Sequence, residues 1–200
     1  MLFLLAIVLY GIALVIFRKR KIPLFTDQLL TREEVYAPIS GKVTGIQEGV
    51  DHPLFGKNQT VMQVRIGFFD NYGVYLPVSA EIKDVQKKLM KEANRFMTYK
   101  LESTEDEENG VLIQLNSKSA GTLGIQLVKC WFSMSPETVI APGDRGKARA
   151  NIGLMPFGGL ALLYFDETYK VQSQIGDELN AGKSIISSVN PAIAATSAKA

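Results

Sequence analysis

The sequence predicts a mainly β domain with one amphipathic helix (an α+β class), held at a membrane by a single N-terminal helix. Three observations support this prediction. Residues 1–17 carry no charged side chain and are followed at once by the basic residues 18–21. From residue 35 onward, short Val, Ile and Leu runs alternate with Gly, Pro, Asn and Asp, which is typical of strands joined by turns. The segment 80–97 instead places apolar residues at three- and four-residue steps, which favours a helix.

The apolar residues 1–17 form the predicted membrane anchor. As a helix at about 1.5 Å per residue they span roughly 25 Å, slightly less than the hydrocarbon core of a bilayer, and the basic residues 18–21 extend the span to the headgroups. A cleaved signal peptide has its positive charge before the apolar run and a small-residue cleavage site after it, and this sequence has neither. The positive-inside rule then places the N-terminus outside and the domain in the cytoplasm, as a single-pass protein of the inner (cytoplasmic) membrane.

The rest of the chain divides into three parts. Residues 22–35 read as a juxtamembrane linker, 36–188 as the β domain, and 189–200, which are rich in small residues, as a flexible tail. Residues 103–110 are acidic and predict a solvated loop. Within the domain, strands are predicted at 42–48, 60–68, 73–77, 110–116, 121–133, 160–165 and 168–173. The predicted helix 80–97 rests on the spacing of Ile82, Val85, Leu89, Ala93 and Phe96.

Composition excludes several classes of function. The net charge of +2 is too small to indicate a nucleic-acid partner, and no basic run is interleaved with aromatic residues. A lone cysteine, Cys130, excludes an intramolecular disulfide and a Cys-rich zinc site, and its apolar neighbours predict a buried thiol. His52 is the single histidine, and Asp51 beside it suggests a metal or acid–base role. A surface or hydrogen-bonded loop histidine is the favoured interpretation, and no metal site is predicted.

Two other groups of polar residues have simple structural interpretations. Asp70 and Asn71 are predicted to shape a turn, because Asx side chains fold back onto the backbone. Arg145 and Lys147 flank a Pro-Gly-Asp turn and could approach a phosphate, but a solvated turn is favoured.

The two ends of the domain carry related motifs. "VYAPISGKV" (35–43) and "IGDELNAGKSI" (175–185) resemble the two halves of a biotinyl/lipoyl-like hybrid barrel. No lysine stands at the tip of a central hairpin in the pattern that lipoylation or biotinylation uses. The sequence therefore predicts elements of a barrel-sandwich hybrid without a covalent cofactor.

Six segments, in order, resemble the phosphatidylserine decarboxylase family. The resemblance covers most of residues 35–187 and implies that fold for the β domain. No single segment is decisive, but their order matches the family's order. The segments are "APISGKV" (37–43), "FFDNYGVYLPVSAEI" (68–82), "EDEENGVLIQL" (105–115), "SAGTLGIQLVK" (119–129), "GLMPFGGLALLYF" (153–165) and "IGDELNAGKSI".

The resemblance also implies where catalytic residues would stand, and this chain departs from the family there. In the family, a serine after a glycine attacks the preceding carbonyl, and the chain breaks to leave a pyruvoyl group that acts as an electron sink. The aligned pair here is Gly158 and Gly159, so the hydroxyl is missing. The family's histidines fall on Tyr72 and Tyr75, and its aspartate falls on Ser40. Tyrosine, with a pKa near 10, is no ready base at neutral pH.

Two classes of function follow as hypotheses. The first is a non-catalytic, membrane-anchored relative of the family without a pyruvoyl group, acting as a scaffold subunit of a membrane-protein assembly or as a phospholipid-binding module. Its expected partners are the bilayer, other membrane proteins and phospholipid, and its expected interface is Phe68, Phe69, Tyr72 and Tyr75, since Tyr is enriched at interfaces. Core packing of that strand is the alternative role for these aromatic residues.

The second hypothesis is an active lipid decarboxylase with a non-standard nucleophile. Its candidates are Ser117, Ser119, Ser133 and Ser135, none of which follows a glycine in the required turn. A hybrid-barrel adaptor of an efflux assembly is a third interpretation, but it requires a long coiled-coil hairpin, and segment 80–97 is too short to form one.

Overall fold

The computed structural model describes residues 7, 10, 11, 34–88, 110–117, 121–130 and 133–189. Of the predicted anchor it describes only Ile7, Tyr10 and Gly11, which are helical and exposed. The remainder of the anchor, linker residues 22–33 and the tail from residue 190 lie outside the described residues. Across these described ranges, no helix has the length and apolar character needed to cross a membrane.

The described part of the domain is built from strands, and every pairing between them is antiparallel. The strands are β1 (Glu34–Tyr36), β2 (Gly41–His52), β3 (Gly56–Ile66), β4 (Gly73–Tyr75), β5 (Ala80–Lys87), β6 (Val111–Ser117), β7 (Gly121–Val128), β8 (Glu137–Thr138), β9 (Arg145–Gly146), β10 (Asn151–Leu154), β11 (Gly159–Phe165), β12 (Tyr169–Val171), β13 (Glu178–Leu179) and β14 (Ile185–Val189). The predicted mainly β class is therefore confirmed.

One large sheet and two small ones hold these strands. The large sheet has the order β13-β2-β3-β11-β7-β6-β5-β9, and the small sheets have the orders β1-β14-β12 and β4-β10-β8. The pairs β2–β3 and β6–β7 are neighbours in sequence. β11 comes later in the chain and inserts between β3 and β7, so it joins the two pairs into one sheet. Because β11 lies inside the sheet, the turn before it lies between the ends of β3 and β7.

β11 is buried on both faces, which explains its unbroken apolar sequence. Ala161, Leu163 and Phe165 belong to the main core, while alternate residues on the strand belong to a second apolar cluster on the opposite face. Such an alternation follows from the two-residue repeat of a strand. A strand that pairs on both sides and is covered on both faces has no polar position to fill.

The prediction of a helix at 80–97 is wrong for the part that the structure describes. Residues 80–87 form strand β5, which pairs with β6, and residues 89–97 lie outside the described residues. A register shift between Ile82 and Asp84 marks a bulge in the strand. Because a bulge adds one residue, Ile82 and Val85 both pack against the core although they are three residues apart. That spacing has the period of a helix.

The hydroxyl of Tyr169 provides a test of the packing beside β11. The ring is buried against Phe165, with centroids 6.0 Å apart, and within the described ranges its hydroxyl has no hydrogen-bond partner. Burial, and then the charge of Asp166, raise the pKa of Tyr169 well above its usual value of 10.0. The native state therefore keeps its proton at alkaline pH where the unfolded chain loses it, and stability falls as the pH rises above about 10.

We expect Tyr169→Phe to raise the free energy of unfolding by about 1 kcal/mol at pH 7, because it removes a desolvated hydroxyl. The variant should also lose stability less steeply above pH 10. Urea denaturation at pH 7 to 11 measures both effects. Tyr164→Phe is the matched control, because its buried hydroxyl donates to Gln126 Oε1 at 2.7 Å and its removal should destabilise the fold. Equal effects of the two variants would contradict this account.

Candidate functional site

The candidate site lies at the turn that leads into β11. Phe157, Gly158 and Gly159 have φ angles of 62°, 89° and 143°. Three successive positive φ values are unusual, and only glycine adopts such angles without steric cost. Phe157 accepts this cost while stacking on Phe68, with ring centroids 5.6 Å apart. The shape of the turn thus favours the two glycines, Gly158 and Gly159, whereas Phe157 is strained there.

Neither glycine of the turn has room for a side chain. A Cβ atom on Gly158 would lie 2.5 Å from the carbonyl oxygen of Ile66. A Cβ atom on Gly159 would lie 2.1 Å from Met155 Cε and 2.9 Å from the carbonyl oxygen of Val128. Real Cβ atoms essentially never come this close to other heavy atoms. The space next to Gly159 that a serine side chain would need is therefore filled by Met155.

Strand pairing gathers the surrounding segments at one edge of the large sheet. Gly159 pairs with Ile66 at the end of β3, and Leu160 pairs with Val128 at the end of β7. The start of β2 meets the same edge, because Lys42 pairs with Arg65. We call this end of the sheet the site edge. It is the row of strand ends at which β2 and β11 begin and β3 and β7 end, and not an outer strand.

Ser40, at the aligned aspartate position, also lies at the site edge, directly before β2. Its side chain is buried, and its hydroxyl accepts a hydrogen bond of 3.0 Å from the backbone N–H of Ala181. It thereby fastens the start of β2 to the segment after β13. This contact gives Ser40 a structural role.

The residues 67–72, which we call the aromatic loop, connect β3 to β4 at the site edge. Asp70 Oδ2 accepts a hydrogen bond of 2.6 Å from the N–H of Gly67, and Asn71 Oδ1 accepts one of 3.1 Å from the N–H of Gly73. Both side chains shape the turn, as predicted. The loop is therefore a defined structure that presents its aromatic residues in fixed positions.

Tyr72, at the first aligned histidine position, is buried beneath the aromatic loop and is hydrogen-bonded to it. Its hydroxyl donates to the carbonyl of Phe68, and its own carbonyl accepts from the N–H of Met155 at 2.8 Å. Burial raises the pKa of Tyr72, and the negative charge of Asp70 raises it further. The hydroxyl thus stays protonated at neutral pH, so it cannot accept a proton as a general base.

Tyr75, at the second aligned histidine position, is half-buried and lies over Gly73. A Cβ atom on Gly73 would lie 2.7 Å from the Tyr75 ring, so the ring occupies the place of a side chain there. The N–H of Tyr75 donates to the carbonyl of Pro38 at 2.8 Å, which links β4 to the segment before β2. The structure therefore brings the segments of all the aligned positions together at the site edge.

The exposed part of the aromatic loop is a pair of phenylalanines. Phe69 is 81% exposed and Phe68 is 38% exposed, and their rings meet edge to face at 5.2 Å. Of the four residues expected at an interface, these two are accessible, whereas Tyr72 is buried and Tyr75 is half-buried.

The serines proposed as alternative nucleophiles have other surroundings. Ser133 lies near the turn, because the N–H of Met134 donates to the Pro156 carbonyl at 3.1 Å. Its hydroxyl accepts from the N–H of Cys130 at 2.6 Å and donates to the Cys130 carbonyl at 2.8 Å. Cys130 itself is half-buried rather than fully buried, and packs against the second apolar cluster. Of the remaining serines, Ser117 is buried at the end of β6, Ser135 is exposed, and Ser119 lies outside the described residues.

His52 is hydrogen-bonded, which is one of the two predicted alternatives, but it is buried at the end of β2 and lies neither on the surface nor in a loop. Its Nδ1 accepts from the N–H groups of Leu54 at 3.1 Å and Phe55 at 3.3 Å, and its ring stacks on Phe55 at 4.4 Å. Asp51 turns away and accepts from the N–H of Asn58 at 2.9 Å. Among the described residues, no three His, Cys, Asp or Glu side chains form a group that could hold a metal ion.

The basic residues beside the Pro-Gly-Asp turn are solvated. Arg145 forms an exposed ion pair of 2.8 Å with Glu81, and Lys147 is exposed on the same turn. An exposed pair of this kind contributes little to stability. These contacts favour the solvated turn over a phosphate site.

Some residues of the site could not be identified from the sequence. Met155 fills the space next to Gly159, but nothing in the sequence distinguishes it from an ordinary core methionine. Lys42 and Arg65 become neighbours only through the pairing of β2 with β3.

A search against models of known protein families and a search of curated proteins each gave no match.

Proposed function

We propose that this chain is a membrane-anchored, non-catalytic binding protein whose β domain is a degenerate relative of phosphatidylserine decarboxylase. The anchor, the family and the inner-membrane location come from the sequence, through the charge-free residues 1–17 and the six ordered segments. In this proposal the domain faces the cytoplasm and carries no pyruvoyl group.

The packing of Gly159 is the observation that carries the proposal. A self-cleaving relative needs a serine hydroxyl beside the carbonyl of residue 158, and here residue 159 has no side-chain oxygen, while the end of the Met155 side chain occupies the adjoining space. The aligned base positions hold Tyr72, which is protonated, and Tyr75, which lies over Gly73. The aligned acid position holds Ser40, which fastens the backbone. Each aligned position thus supports the fold, and a protein that keeps such a site without its chemistry is expected to bind.

The partner is either a membrane-protein assembly, in which the chain is a scaffold subunit, or phospholipid. Both require an accessible surface at the membrane. The exposed phenylalanines of the aromatic loop supply such a surface, and the basic pair Lys42 and Arg65 lies on the neighbouring strands of the same edge.

The experiment that tests this proposal is intact-mass analysis of the full chain, purified in mild detergent. We expect one chain of 22.0 kDa with an unmodified residue 159. We also expect no release of carbon dioxide from phosphatidylserine. A second fragment with a pyruvoyl-blocked N-terminus, or decarboxylation by the intact chain, would show the chain to be an enzyme and the proposal to be wrong.

A further inference from the structure

Three exposed apolar side chains project next to the site edge. Phe69 is 81% exposed, Met134 is 54% exposed and Phe68 is 38% exposed. We call these three residues the apolar tip. Phe68 stacks on Phe157, and Met134 is hydrogen-bonded through its backbone to Pro156, the residue before Phe157. All three residues of the tip thus lie next to the turn that leads into β11.

The fold does not explain why the tip is apolar. Tyr72 and Phe157 supply the packing that supports the aromatic loop, and Asp70 and Asn71 fix its backbone. Phe69 contacts the ring of Phe68 but is 81% exposed, so a polar residue there would cost the fold little. Adjacent exposed apolar side chains of this kind mark surfaces that contact a partner or a membrane.

Two basic side chains lie beside the tip. Lys42 and Arg65 are exposed and directly opposite each other on β2 and β3, and Gly67 of the aromatic loop follows two residues after Arg65. Like charges in that position repel each other. Lys42 also lies opposite Glu178 on the neighbouring strand β13. Among the described residues, however, neither basic side chain forms an ion pair. The pair therefore offers two exposed positive charges at the margin of an apolar surface, with one acidic residue, Glu178, opposite Lys42.

We propose that the apolar tip and the Lys42–Arg65 pair together form a docking surface for an anionic lipid bilayer. Phenylalanines enter the boundary between headgroups and acyl chains, while Lys and Arg are attracted to anionic headgroups. This inference rests on the proposed function, because it assumes that the domain is held at a membrane. It names the bilayer itself as the ligand of the site edge.

The length of the linker is compatible with docking. Sixteen residues separate Phe17 from Glu34, and an extended chain of that length spans up to roughly 55 Å. The tip can thus reach the same bilayer that residues 1–17 are predicted to cross. Docking would then fix the orientation of a domain that the anchor alone only tethers.

Site-specific fluorescence in a bilayer tests this inference. The full chain carrying Cys130→Ser and Phe69→Cys is labelled with an environment-sensitive dye and reconstituted into nanodiscs of phosphatidylcholine, with or without phosphatidylglycerol. Lys57→Cys is the matched control, because residue 57 is exposed at the other end of β3, about 30 Å from Ile66 at ~3.3 Å per residue. We expect a blue shift and quenching by shallow doxyl lipids for the label at 69 and neither effect at 57.

Lys42→Gln combined with Arg65→Gln should abolish the extra quenching that phosphatidylglycerol produces. A label at 69 that stays as water-exposed as the label at 57 would overturn the inference. A blue shift without quenching by doxyl lipids would also overturn it, since it would indicate that protein covers the tip. Neither result would affect the single-chain mass of 22.0 kDa, so failure of docking and failure of the proposed function are distinguishable.

Discussion

Gly159→Ser should lower the free energy of unfolding by about 2–5 kcal/mol and should not restore self-cleavage. Two costs add up. A non-glycine residue at a φ of 143° is strained by about 1–2 kcal/mol, and a new Cβ atom 2.1 Å from Met155 Cε forces a side chain out of a packed position for about 1–3 kcal/mol. Urea denaturation measures the loss, and intact mass reports cleavage.

A second substitution separates these two costs. Met155→Ala removes the flexible end of the methionine but leaves the Val128 carbonyl, which a Cβ atom on residue 159 would meet at 2.9 Å. We therefore expect Gly159→Ser to cost less in the Met155→Ala background, with a coupling energy of about 1–2 kcal/mol. Additive effects of the two substitutions would show that Met155 does not occupy the space of the serine side chain.

Gly176→Ser is the matched control for backbone strain. Gly176 has a φ of 103°, and a Cβ atom there would have nothing within 4 Å. This substitution should cost only the conformational part, about 1–2 kcal/mol. If Gly159→Ser cost no more than Gly176→Ser, the packing argument for a non-catalytic site would fail. If Gly159→Ser split the chain, the missing serine would have been the sole obstacle to self-cleavage.

Local sequence predicts some elements of this fold and not others. The Phe-Gly-Gly turn could be predicted, because Gly158 and Gly159 adopt φ values that only glycine reaches easily. The apolar run 160–165 likewise predicted a strand from the local sequence alone. The bulge in β5 could not be distinguished from a helix, because it places Ile82 and Val85 three residues apart on the core side.

The aligned motifs predicted positions but no contacts, and the role of these positions as one functional site stays a prediction. The aligned motifs named Ser40, Tyr72, Tyr75, Gly158 and Gly159, and antiparallel pairing brings their segments to one edge. What fills the space beside Gly159 depends on the rotamer of Met155, and the proximity of Lys42 to Arg65 depends on the register of β2 against β3. Both are tertiary facts, and residue types alone do not encode them.

Two phenylalanine-to-alanine substitutions should differ strongly in their effect on the free energy of unfolding. Phe165 is fully buried in β11 between β3 and β7, so Phe165→Ala should lower the free energy of unfolding by about 3–5 kcal/mol. Phe69 is 81% exposed, so Phe69→Ala should change it by no more than about 0.5 kcal/mol. Urea denaturation of both full-length variants in the same detergent measures this contrast.

The contrast decides what Phe69 contributes. If Phe69→Ala left the free energy of unfolding unchanged, the exposed ring of Phe69 would have a role other than folding. In that case the same variant, labelled through Phe68→Cys in the Cys130→Ser background, should lose quenching by shallow doxyl lipids in anionic nanodiscs. If Phe69→Ala instead destabilised the domain as strongly as Phe165→Ala, the ring would be a packing residue, and the bilayer would no longer be needed to explain its exposure.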